Sequence, residues 1–162
     1  MMARNTFRKE ERLCSKRLID DLFRNGSSFV LYPFRVVYLI AIPATENVGT
    51  PSESQESAKV QILFSAPKRR FKQAVTRNLL KRRMREAYRL QKAAFLRDLR
   101  LSKSDFNGEI PFQTPLVNSN LYIAVQYIAA DIKEFPYLST KMREVLGKLQ
   151  VNYVAYRLGK RN

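Results

Sequence analysis

Hydrophobic residues recur along the chain in two rhythms that take turns. Leu18, Ile19, Leu22 and Phe23 fall at i, i+1, i+4 and i+5, the spacing of one helix face. Ser15 stands at the capping position before them and Gly26 just past them, so the pattern predicts a first helix over Lys16–Asn25. The period then drops to two. Over 34–42, Phe34, Val36, Tyr38, Ile40 and Ile42 alternate with Arg35, Val37, Leu39 and Ala41, which predicts a strand with one face richer in large side chains. A second strand is expected over 60–66. The most apolar candidate, 121–130, carries Tyr122, Ile123, Val125, Tyr127 and Ile128 and belongs at the centre of a sheet. Helical spacing returns over 77–89, extending towards Leu99. It returns again after Ser139, where Met142, Val145, Leu146 and Leu149 recur at i, i+3, i+4 and i+7.

Two stretches lack either rhythm. Residues 43–59 are rich in Thr, Asn, Gly, Pro, Ser and Glu and read as a flexible loop; 98–119, with Gly108, Pro111 and Pro115, reads as an irregular excursion. Pro67 closes the second strand, and the basic turn Lys68-Arg69-Arg70 leads through Phe71, Ala74 and Val75 into the central helix. The order α-β-β-α-β-α, with a short extra strand near Phe29, implies an α/β (α+β) sandwich around a small mixed sheet. With 162 residues, 45% of them hydrophobic, the chain suits a single domain, 1–162, and shows no internal repeat.

Charge changes the meaning of the central helix. The chain has 30 Lys and Arg against 14 Asp and Glu, a formal net charge of +16, and the 22 residues of 68–89 contribute +9 of it. At about 100° per residue, Arg77, Asn78, Lys81, Arg82, Arg85 and Arg89 share one arc, with Tyr88 at its edge and Arg83 on the far side. Leu80, Met84 and Ala87 oppose them, flanked by Leu79 and Leu90. Glu86 is the single acid in the run, too few to neutralise the stripe by pairing. Phosphate is the fitting counter-charge. A strand and a basic turn precede this helix rather than a second short helix, which separates it from helix-turn-helix DNA regulators. Arg4, Arg8, Lys9 and Arg12 make a basic N-terminal extension. No apolar run is long enough to span a bilayer and no signal pattern opens the chain, so a soluble, cytoplasmic protein is expected.

Catalytic chemistry within the chain is hard to assemble. There is no histidine, and Cys14 is the only cysteine, which rules out an internal disulfide and the usual zinc sites. The closest acidic pairs, Glu10 with Glu11 and Asp20 with Asp21, are sequence neighbours that face different directions, so no catalytic or metal-binding residue is expected in this chain.

The motif Arg77-Asn78-x-x-Lys81-Arg82-x-x-Arg85 followed by Glu86-Ala87-Tyr88-Arg89 resembles the signature helix of the bacterial ribonuclease P protein subunit. Arg69, Arg70, Ala74, Val75, Leu22, Phe23 and Gly26 add to the resemblance, while Lys72 and Ile19 depart from the glycine and the aromatic residue common there. The resemblance implies a left-handed βαβ crossover. It also implies a small protein that joins a catalytic RNA in a hydrolase holoenzyme, where the RNA removes the 5′ leader of precursor tRNA with Mg held mainly by the RNA. Arg69, Arg70, Arg77, Asn78, Lys81, Arg82, Arg85 and Arg89 would then contact the catalytic RNA. Ile19, Phe23, Val36 and Tyr38 would line a leader cleft between the first helix and the sheet. An alternative with the same charge and size is a non-enzymatic ribosomal or ribosome-assembly RNA-binding protein.

Overall fold

The computed structural model describes residues 6–41, 59–101 and 119–157. In chain order it holds α1 (Lys16–Asn25), β1 (Ser27–Leu31), β2 (Phe34–Ala41), β3 (Val60–Ser65), α2 (Ala74–Leu101), β4 (Asn120–Tyr127) and α3 (Phe135–Arg157). The short strand expected near Phe29 is β1. Apart from 59 and 119 and the end of α2, the two aperiodic stretches lie outside the described residues.

The strands form one mixed sheet in the order β1-β2-β4-β3, with β3 parallel to β4 and the other pairs antiparallel. Central β4 is buried along nearly its whole length. Its register sets two distinct faces: Phe34, Val36, Tyr38 and Ile40 of β2 oppose Tyr127, Val125, Ile123 and Leu121, while Arg35, Val37 and Leu39 oppose Gln126, Ala124 and Tyr122. The first face packs on Leu80, Met84, Ala87 and Tyr88 of α2 and on Leu138, Met142, Val145, Leu146 and Leu149 of α3 to form the main core. The second carries α1, whose Leu22 is buried against Val37, Tyr122 and Ala124 with Leu18 and Ile19 alongside.

Three element ends differ from the sequence reading. Ser15 precedes α1 without a side-chain capping bond. Gly26, at φ −74°, has an ordinary backbone conformation, and its requirement is space: a Cβ there would collide with the carbonyl oxygens of Leu22 and Tyr38. α3 begins at Phe135, a turn before Ser139, because Pro136 sits in the first turn, where a missing N–H costs nothing. The N-terminal extension, finally, is docked over residues 6–13, while Arg4 lies outside the described residues. Leu13 N–H donates to Ile62 O at 3.1 Å, Arg12 bridges Ile62 in parallel fashion, and Phe7 meets Phe64 and Tyr88 edge-on.

Candidate nucleic-acid interface

α2 displays its cations because its apolar positions recur at 80, 84, 87, 88, 95 and 99, all buried in the core, which fixes the rotation of the helix. Two assignments on the wheel change as a result. Tyr88 is 1% exposed and packs on Phe64 and Phe7 within the core; burial, and secondarily the Glu11 charge, push its phenol well up, so it stays neutral. Leu79 and Leu90 are exposed and lie outside the buried seam.

Asn78 and Arg82 are exposed, while Lys81, Arg85 and Arg89 are half-buried along one flank of the helix. Arg77 is turned to internal use: its Nη1 donates to Phe71 O at 2.8 Å and to Lys72 O at 2.6 Å, pinning the loop before the helix. Arg70, in the turn after β3, donates to Ile128 O beyond the end of β4, and Arg69 beside it is exposed. Arg89 makes two hydrogen bonds to Glu86, at 2.8 and 2.6 Å, which hold the Glu86 carboxyl below the usual carboxylate range. On the far side, Arg83 Nη1 donates to Lys133 O at 2.7 Å and fixes the loop between β4 and α3.

The docked N-terminal segment adds to this surface in a way its composition alone does not foretell. An open groove of about 530 Å³ is lined by Phe7 and Arg12 from that segment, by Arg82, Arg83, Arg85, Glu86 and Arg89 of α2, and by Phe135. The Arg12 guanidinium sits over the Phe7 ring, 5.5 Å from its centroid. The segment is held by Lys92, a nearly buried lysine whose ammonium donates to Glu11 Oε1 at 2.6 Å and to Thr6 O at 2.5 Å. Arg12 was visible only as one of several N-terminal cations; the alternation of Arg12 and Leu13, exposed and buried against the sheet edge, is the one local signal of its placement.

The expected leader cleft does not come together as a set. Ile19 and Phe23 belong to α1, but Val36 and Tyr38 lie on the other face of the sheet, with Val36 fully buried and Tyr38 packed against the main core. The reason is parity: α1 packs over the odd-numbered face of β2, so Arg35, Val37 and Leu39 share its side. Phe23 is 44% exposed at the edge of this layer. Among the described residues no helix is long and apolar enough to cross a membrane.

The family model described as Ribonuclease P matches residues 7–104. The ribonuclease P protein component of Porphyromonas gingivalis is 40% identical over 84 residues, 52% of this chain and 53% of that protein, so the chain spans about half the length of that relative. The ribonuclease P protein component of Chlorobium phaeobacteroides is 30% identical over 141 residues, covering 87% of this chain and 84% of the relative. Among solved structures, the Staphylococcus aureus RNase P protein superposes with a TM-score of 0.50 at 15% identity, over 87% of this chain and 96% of that one, a likeness of fold.

Proposed function

The chain belongs to the ribonuclease P family as a protein component of bacterial type, and from that premise we propose that it docks its cationic helix on a catalytic RNA and assists removal of the 5′ leader from precursor tRNA. The observation that carries the docking is the groove in which Arg12, Arg82, Arg85 and Arg89 converge around a single acid, Glu86. Guanidinium groups on a rigid helix suit phosphates and the shape of folded RNA, and the core beneath α2 holds them in place without reorganisation.

In this reading each region has a separate task. Arg12, Arg82 and Arg85, with Lys81, Asn78 and Arg69, meet the RNA, while Arg89 is held by Glu86; Arg77 and Arg70 contribute by fixing the loop at the head of the helix and the loop after β4. The leader is proposed to lie on the α1 side of the sheet, over Ile19, Phe23 and the exposed Arg35, with Val36 and Tyr38 supporting it from the core. An unpaired strand there would rest bases on Phe23 and a phosphate near Arg35.

Magnesium, the metal that the family resemblance brings with it, does not fit the donor set of the described residues. Among the described residues no group of three or more Asp, Glu or Cys could hold a metal ion, and the exposed face of α2 is cationic. In the proposed reading the metal and the hydrolytic chemistry belong to the RNA, as the family resemblance implies, and the protein's part is to lower repulsion between two polyanions and to hold the precursor.

The test is cleavage of a 5′-labelled precursor tRNA at low magnesium by the cognate catalytic RNA, with and without this protein, beside protein alone. Stimulation only in the combined reaction is expected. With five cations engaged, log K against log salt should fall with a slope on the order of −4. Tight RNA binding without stimulation would support a ribosomal-type role instead, and cleavage by the protein alone would overturn the assignment of chemistry to the RNA.

A further inference from the structure

Beyond the cationic groove lies a cluster of a different chemical kind. Lys133, in the loop between β4 and α3, has its ammonium 5.8 Å from the ring centroid of Tyr32 and 5.7 Å from that of Tyr137. Tyr32, in the turn between β1 and β2, is 48% exposed and Tyr137, in the first turn of α3, is 38% exposed. The lysine is paired with Asp131 at 2.7 Å, so the cluster is close to electrically neutral.

Its supports are unusually numerous for a surface loop. The buried Tyr127 hydroxyl donates to Asp131 O at 2.7 Å and accepts from Lys133 N–H at 2.9 Å. Arg83 grips Lys133 O from α2, Arg70 grips Ile128 O, and Ile128 N–H donates to Pro33 O beside Tyr32. Two arginines of the basic region thus hold the loop that carries the lysine. The groove itself reaches Arg83, which grips this loop, and Phe135, two residues from both Lys133 and Tyr137.

We propose that Tyr32 and Tyr137, both beside the Lys133 ammonium, form a stacking platform for unpaired RNA nucleotides, a contact distinct from the cationic groove and resting on the RNA-binding reading above. Two exposed rings held by a packed loop lose little entropy when a base settles on them, and every base offers a π-face. Because Asp131 already satisfies the ammonium, the attraction is stacking rather than phosphate capture. Affinity through the platform is therefore insensitive to salt, in contrast to the groove.

The test measures binding of a fluorescently labelled octaadenylate to the full chain across a salt series. Tyr32→Ala with Tyr137→Ala is expected to weaken binding by about thirtyfold or more, the loss of two base–aromatic stacks, at an unchanged salt slope. Tyr32→Phe with Tyr137→Phe keeps the rings and is expected to bind as the parent does. Arg82→Ala with Arg85→Ala serves as the groove control and should flatten the slope by about 1.4. Equal affinity of the alanine pair and the parent overturns the platform while the arginine result leaves the docking reading standing; equal loss in the alanine and phenylalanine pairs overturns it too, assigning the effect to the hydroxyls. A parent protein that fails to bind the octamer at any salt overturns the platform, while docking on folded RNA stands or falls with the cleavage experiment above. As a check free of substitution, an octamer bearing one 5-iodouridine should photocrosslink to Tyr32 or Tyr137; adducts confined to other residues would reject the platform.

Discussion

Glu86 is the one residue in the groove whose charge opposes its neighbours, and it acts by occupying Arg89. The pair lies one helical turn apart with side chains 33% and 47% exposed, so it contributes little to stability, in line with other exposed pairs. Its effect on binding is larger than its effect on folding, since a phosphate must displace the carboxylate to reach Arg89. Glu86→Gln keeps the size and removes the charge. Affinity for RNA is expected to rise severalfold at low salt, and the slope of log K against log salt to steepen by about 0.7–0.9, one more phosphate contact. Fluorescence anisotropy across a salt titration measures both. The pH dependence has the matching sign. Because Arg89 lowers the Glu86 pKa, the pair's small stabilisation is present above the ordinary carboxylate range and is lost as pH falls through the lowered folded value, the same step that frees Arg89.

Among the elements, α1 and β2 approach each other closely at the end of α1, and a glycine makes it possible. Gly26 has φ −74°, so alanine could adopt its backbone; the obstacle is steric, with a Cβ 2.9 Å from Tyr38 O and 3.1 Å from Val37 Cγ1 besides the clash with Leu22 O. Gly26→Ala has two opposed effects. It restricts the unfolded chain, worth about 0.4–1 kcal/mol in favour of folding, and it forces α1 away from the sheet, costing about 1–3 kcal/mol as overpacking does. The net expectation is destabilisation, seen as a lower urea midpoint with an unchanged slope. The same junction marks the boundary of what sequence could tell. The helices and strands were legible because each carries a clean period, and the basic stripe because α2 has a continuous apolar seam at 80, 84 and 87 that fixes its rotation. Nothing in the alternation of β2 reveals which face α1 covers, since both Val36 and Val37 are buried, one against each layer. The family resemblance puts Val36 and Tyr38 on the α1 side, where Val37 and Leu39 stand instead. Tyr88 was misjudged for a related reason: the ring that meets it, Phe7, comes from a segment with no periodicity of its own.

At the scale of the whole molecule, the N-terminal segment joins the sheet edge to α2 and extends the cationic field across both. Its attachment rests on three kinds of contact: the Leu13 N–H bond to Ile62 O, the Phe7 ring against Phe64 and Tyr88, and the Lys92 ammonium between Glu11 and Thr6 O. The last is the most sensitive to change, because removing the ammonium leaves Glu11, 20% exposed, without its ion-pair partner. Detachment of the segment relieves that cost by returning Glu11 to water, so the penalty of Lys92→Met is limited to the free energy of local undocking and the sheet and helices persist. Arg8, Lys9 and Arg12 leave with the segment. Lys92→Met should therefore flatten the salt slope of RNA binding by at least about 1, with Arg12 the principal cation lost, although Lys92 itself is too buried to touch a phosphate. Hydrogen exchange separates this from direct contact: the Leu13 amide should lose protection in the variant while the β4 amides keep theirs. An unchanged slope with a fully protected Leu13 would show that the aromatic and sheet-edge contacts hold the segment without the lysine.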